Sequence, residues 1–160
     1  MWEKYNLRRQ AGDNRKLFVG RKDSSNSIRR LAPLKLVDGA WLAYIGKIST
    51  PIAPRSVTRN AWQILSKKLR DGDLRKNHVH IYIELVHETS GVCLEPHSPL
   101  FIDQYMSDIH VWKAVIAQQL HAILPDKFLL EILGFNLHFE SVAFETLITA
   151  RELEELGYSP

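Results

Sequence analysis

The sequence predicts an all-α fold, a bundle of about six helices. Three observations carry that prediction. From Leu34 onward, apolar residues recur at helical spacing in one segment after another. Helix-ending residues punctuate those segments: Gly91 and Gly157 stand where C-caps belong, and Pro51, Pro54 and Pro125 break the pattern. No pair of alternating strands joined by a turn is present. The run His78-Val79-His80-Ile81-Tyr82-Ile83 alternates weakly, but its apolar period continues through Leu85 and Val86, which favours a helix.

The elements follow in order. Residues 1–30 are polar and basic with sparse apolar residues, which predicts a flexible arm docked through Leu17-Phe18-Val19. The folded domain is then 31–160. A first helix places Leu36, Ala40 and Ala43 on one face, with Trp41, Leu42 and Ile45 beside it, and ends near Gly46. A second covers about 55–69, with Trp62, Leu65 and Leu69 on one face, and Asp71-Gly72-Asp73 forms a turn. A third spans about 77–89. Ser98 caps a short helix with Pro99 at its first position. A further helix covers about 108–124, a short helical turn about 126–133, and a last helix about 136–156.

Composition narrows the class. The chain has 160 residues with 21 Lys and Arg against 18 Asp and Glu, a net charge of +3. Residues 1–80 hold 18 basic and 6 acidic residues, net +12; residues 81–160 hold 3 and 12, net −9. A basic arm neutralises phosphates, but no recognition motif accompanies this one, so nucleic acid is not the expected partner. The single cysteine, Cys93, excludes an internal disulfide framework and a cysteine-based zinc site. It reads as a small apolar residue. No apolar run reaches the roughly 18 residues of a membrane span, and Met1-Trp2-Glu3-Lys4-Tyr5 lacks a signal-peptide core. The expectation is a cytoplasmic protein with no membrane partner.

The ionisable residues are informative once set on their helices. At about 100° per residue, His78 shares a stripe with Ile81, Tyr82 and Leu85 and is predicted to face inward. His80, Glu84 and His87 fall on the opposite side. Glu84-x-x-His87 matches the Glu-x-x-His repeat of carboxylate-bridged di-iron bundles, yet its placement points it outward. On the last helix Glu140 interrupts the stripe Leu133, Leu137, Phe144, Leu147 and Ile148. A second apolar strip, Phe135, Phe139, Val142 and Leu153, lies opposite. A helix apolar on two sides is buried, so Glu140 is predicted to be a buried carboxylate that needs a cation, a metal or a raised pKa. A metal shared with His78 would satisfy both residues. So would a Glu–His hydrogen bond, or a bond from Glu140 to Tyr82 or to a tryptophan. His110 and His121 are spaced like surface positions, and His97 is in a loop.

Several of these motifs together resemble the iron-containing redox enzyme family, the haem-oxygenase-like di-iron oxidases. Pro33 to Leu42, with Asp38-Gly39-Ala40-Trp41-Leu42, resembles its Asp-Gly-x-Trp-Leu segment. Asp71-Gly72-Asp73, Asn77-His78 and Ile81-Tyr82 resemble its Gly-Asp-Gly-Asp…Asn-His…Tyr signature. Leu133-Gly134-Phe135-Asn136 with Glu140 resembles its Leu-Gly-Phe-Asn…Glu signature, and Arg151-Glu152-Leu153 and Glu155-Leu156-Gly157 continue the likeness. The resemblance spans about 31–160. It implies a haem-oxygenase-like bundle and iron ligation at His78 and Glu140. It also implies O2-dependent oxidation of a small-molecule substrate at a non-haem di-iron centre.

Two departures qualify what the resemblance implies. Where the family has Glu-Glu-Leu-Gly-Asp-Gly-Asp, this chain reads Lys67-Lys68-Leu69-Arg70-Asp71-Gly72-Asp73. A lysine at 68 cannot bridge iron as a carboxylate does. The chain also stops at Pro160, before the helix that carries the family's remaining His and Asp ligands. The expectation is a truncated or degenerate member, a bundle incomplete at the C-terminus and inactive alone. The alternative is a helical interaction module that pairs with a second copy or a partner chain through apolar surface left uncovered.

Overall fold

The structure, a computed structural model, describes residues 1–45, 52–53, 55–93, 95–106, 108–124, 127–141 and 143–159, with residue 143 described for its backbone alone. Among the described residues the regular structure is helical and there is no strand. The α-helices are α1 (Trp2–Gln10), α2 (Arg21–Leu36), α3 (Arg55–Lys68), α4 (His78–Ser90), α5 (Phe101–Tyr105), α6 (Ile109–Ile123), α7 (Leu129–Ser141) and α8 (Ala143–Glu155). Short 3-10 turns lie at Ala40–Leu42, Arg70–Gly72 and Leu74–Lys76. No described helix is long and apolar enough to cross a membrane.

Local chemistry sets the boundaries that sequence periodicity placed well. Asn77 caps α4: its Oδ1 accepts from the backbone N–H of Val79 and His80 at 3.0 and 3.1 Å, satisfying donors that the first turn leaves free. Gly91 ends α4 in the left-handed conformation, φ +81°. Asp108 caps α6 in the same way, accepting from His110 and Val111. Gly157, at φ +82°, closes α8. There Gly157 N–H donates to the Glu154 carbonyl, and Tyr158 N–H donates back to Leu153.

Elsewhere the structure differs from the sequence reading. The expected arm over 1–30 carries α1 and the first ten residues of α2. Of the expected docking segment, Phe18 is buried beside Ile28, Ala32, Val86, Phe101, Tyr105, Leu153 and Tyr158 in one of two apolar cores, while Leu17 and Val19 are exposed. The buried positions of α2 are Ser24, Ile28, Ala32 and Pro33. Small and polar residues make that face nearly silent in hydropathy, yet they let α2 lie closely along α4 and α6. The helix expected around 36–45 is a 3-10 turn, because Gly39 takes φ +89° and ends α2's path. Its expected end at Gly46, and the break at Pro125, lie outside the described residues. The short turn expected before Gly134 is part of α7, which runs through that glycine. The helix expected over 136–156 is covered by α7 and α8, and residue 142 between them lies outside the described residues.

The second core holds Trp41, Leu42, Ile45, Ala61 and Ile132, with Phe128, Phe135 and Phe139 packed against it. It joins the 3-10 turn, α3 and α7. The candidate site lies beside it.

Candidate functional site

Four chain segments bring four ionisable side chains together. Asp38 follows α2, immediately before Gly39. A Cβ on Gly39 would stand 3.3 Å from both Leu65 Cδ1 and Lys68 Cδ, so the bare glycine lets the end of α3 approach. Lys68 is the last residue of α3. The next turn reverses the chain and carries it through Asp73 to the Asn77 cap, which sets His78 at the start of α4. Glu140 comes from α7.

Lys68 is at the centre. It is 9% exposed. Its Nζ lies 2.8 Å from Glu140 Oε1 and 3.4 Å from Asp38 Oδ1. The ammonium also stands 5.2 Å from the centre of the buried Trp41 ring, a cation–π contact. Asp38 turns its other oxygen to His78, with Oδ2 3.4 Å from Nδ1. One ammonium therefore faces two carboxylates, and one of those carboxylates also holds the imidazole. An ammonium with no counter-charge would cost several kcal/mol to bury here, by order of magnitude. Asp38 and Glu140 remove that penalty.

The reversing turn is strained. Arg70 and Asp71 have φ of +54° and +52°, and Gly72 follows at +91°. Side chains with a Cβ enter this region at a cost of about 1–2 kcal/mol each. Asp71 is held there by Ser66, whose Oγ donates to Oδ1 at 2.5 Å. Arg70 stands where the resembled pattern has glycine, and its backbone still has a glycine's conformation. Arg70→Gly is expected to raise stability by about 0.5–1 kcal/mol, the relieved strain less the extra freedom of the unfolded chain. A urea titration of the two proteins reads that shift.

The two residues singled out in the sequence are thus close to one another's partners, but not as expected. Glu140 is not buried: its side chain is 49% exposed. The inference from two apolar faces fails because α7 is uncovered on one side, where Leu130 and Leu137 are open to solvent. Its partner is a lysine. His78 is partly exposed and meets Asp38 instead of Glu140. The inward face of α4 is made by Tyr82, Leu85 and Val86. There the Tyr82 hydroxyl donates to the Ile28 carbonyl at 2.7 Å, and burial pushes its pKa well above the usual range.

Glu84 and His87 are exposed, as their helical positions predict. His121 is partly buried. It packs edge-on to the ring of Phe128 and tilted against that of Phe135, and its Nδ1 is buried. Asp38 was visible only as a motif residue, and nothing in the helical pattern fixed the direction of Lys68, which lies on the flank of its stripe.

A model of the iron-containing redox enzyme family matches residues 26–160. The chain belongs to that family. Searches of curated proteins and of solved structures return no match. Iron is what the family leads one to expect, and the residues at this site do not fit it. Among the described residues no group of three or more His, Cys, Asp and Glu side chains is arranged to hold a metal ion. Where Asp38 and Glu140 converge, a lysine ammonium already supplies the positive charge.

Proposed function

We propose that this chain is an iron-containing-redox-enzyme-like protein that does not by itself carry out the chemistry expected of the family, O2-dependent oxidation of a small molecule at a non-haem di-iron centre. The supporting observation is Lys68. Its Nζ takes one oxygen each of Asp38 and Glu140. A cation fixed there repels a second one, and each carboxylate it holds is withdrawn from coordination. His78 has its own partner in Asp38.

A second reading has its own support. Ile109, Ile116, Leu120 and Ile123 of α6 are each more than half exposed, and at about 100° per residue they fall within one sector of roughly 60°. That stripe suits a helical module that pairs with a second copy or a partner chain.

One preparation tests both readings. The protein is incubated anaerobically with Fe(II), desalted, and assayed for iron and O2 uptake. Little retained iron, and O2 uptake no faster than a free-Fe(II) control, is the expected result. Iron retained at one or two ions per chain, with O2 uptake, overturns the first reading. Sedimentation of the same sample as a monomer at about 100 μM would overturn pairing with a second copy.

A further inference from the structure

Helix α6 carries two seams on opposite sides. Val111, Val115, Gln118 and Ala122 are its buried residues, and the helix packs on α2 and on the 3-10 turn at Ala40–Leu42. At about 100° per residue, Ile109, Ile116, Leu120 and Ile123 point the other way, and they are 63, 54, 53 and 63% exposed. Exposed Lys113 fills the remaining place in that row, so its residues recur at alternating steps of four and three, as the buried ones do. That is the period by which one helix seats another. The inner seam has its partners within the fold, and the outer one lies open.

We propose that a second copy of the chain closes the outer seam, with the two α6 helices antiparallel about a two-fold axis at Ile116. The proposal rests on the second reading above, that α6 pairs, and names the occupant and its direction. Three features select a copy. The seam is symmetric about its centre: Ile109 and Ile123 stand seven residues to either side of Ile116. Antiparallel pairing therefore sets each Ile109 on the other copy's Ile123 and Ile116 on itself, the self-complementary contact of a two-fold interface. Charge fixes the direction. Lys113 is the one Lys, Arg, Asp or Glu on α6. Parallel helices in register would set the two ammonium groups face to face, whereas antiparallel ones hold the lysines about 9 Å apart along the axis, each stem lying over the other copy's Leu120 with its ammonium in water. Area is the third. With Leu124 beside them, the four apolar residues leave on the order of 500 Å² open, toward the upper end of what monomers expose. Two copies then bury about 1,000 Å², where specific interfaces begin.

The test combines sedimentation with disulfide trapping, the latter in a Cys93→Ser background so that the introduced thiols are the only ones. Wild-type protein at about 100 μM is expected to sediment as a dimer. Ile116→Glu sets two carboxylates against each other at the axis and should weaken the dimer at least about 100-fold. Its helical signal should not change, because that side chain is already half-exposed. Leu130→Glu, on the open side of α7, should leave the dimer intact. Ile116→Cys is expected to cross-link to itself on mild oxidation. Ile109→Cys and Ile123→Cys, each about 21 Å along the axis from its own counterpart in this arrangement, should cross-link only when the two proteins are mixed.

A monomeric wild type at that concentration overturns the proposal and leaves a different chain as the partner in the second reading. Cross-linking of Ile109→Cys with itself, or failure of the mixed pair to cross-link, overturns the antiparallel arrangement while pairing through α6 stands. A dimer that survives Ile116→Glu and traps none of the three cysteines overturns the proposal and the second reading together, because the copies then meet on another surface. Should Ile116→Glu fail to fold, the cysteine pattern decides.

Discussion

Glu152→Ala will lose about 3–5 kcal/mol of stability, because it empties the most heavily bonded carboxylate described in the molecule. Glu152 is 0% exposed. Its Oε1 accepts from the Tyr5 hydroxyl at 2.6 Å and from the Lys16 N–H, and its Oε2 accepts from the N–H groups of Leu17 and Phe18 at 2.9 Å each. Alanine leaves those donors buried without acceptors. Urea titration measures the loss. Limited proteolysis should show residues 1–18 opening first, since α1 is then held to α8 through the Arg9–Glu155 ion pair at 2.5 Å.

The same carboxylate predicts a pH dependence. Burial raises the Glu152 pKa, but the hydrogen bonds from Tyr5, Lys16, Leu17 and Phe18 lower it further, so the net shift is downward. A group with a depressed folded pKa stabilises the fold fully above the ordinary carboxylate range. That contribution fades as pH falls through about 4 and below. Glu152→Gln should remove this acid-dependent part while keeping one acceptor. A Glu152→Gln protein whose stability falls with acid as steeply as the wild type's would assign the dependence to other groups.

Trp41→Ala is expected to cost about 3–5 kcal/mol, as for other fully buried aromatic residues. Trp41 is completely buried, with ring centres 5.1 Å from Phe135 and 5.0 Å from Phe139. Its Nε1–H donates to Asn136 Oδ1 at 3.4 Å. It also forms the apolar floor under Lys68. Trp41→Phe keeps a ring there and should cost clearly less. A loss below about 1 kcal/mol for Trp41→Ala would show that this core collapses around the gap. Circular dichroism in urea distinguishes the outcomes.

Much of the helical plan was legible because it depends on local signals. The ranges of α3, α4 and α6 came from apolar period, and Gly91 and Gly157 were readable as caps. The first helices were not legible: α2 packs through Ser24 and Ala32 beside Ile28, and small buried residues leave little hydropathy contrast.

The site was legible at the level of motifs and not of partners. His78 and Glu140 do lie at one corner of the fold. Their link runs through Asp38 and Lys68, a tertiary contact between segments that no helical wheel displays. Glu152 had a usable signal, since it stands four residues beyond Ile148 on the same stripe, and both are completely buried. Set among acidic neighbours at 154 and 155, it passed for helix surface.

The pairing of α1 with α8 also orders events during synthesis. Tyr5 and Glu152 are 147 residues apart. At about 5–20 residues per second, α1 leaves the ribosome roughly 7–30 s before its acceptor exists. The core around Trp41 draws on residues no later than Phe139, whereas the core around Phe18 needs Leu153 and Tyr158. The Lys68 corner can therefore close while α1 and the 16–18 segment, with their basic charge, still face solvent. The later-emerging α8 brings the carboxylate that draws the earlier 16–18 segment into place.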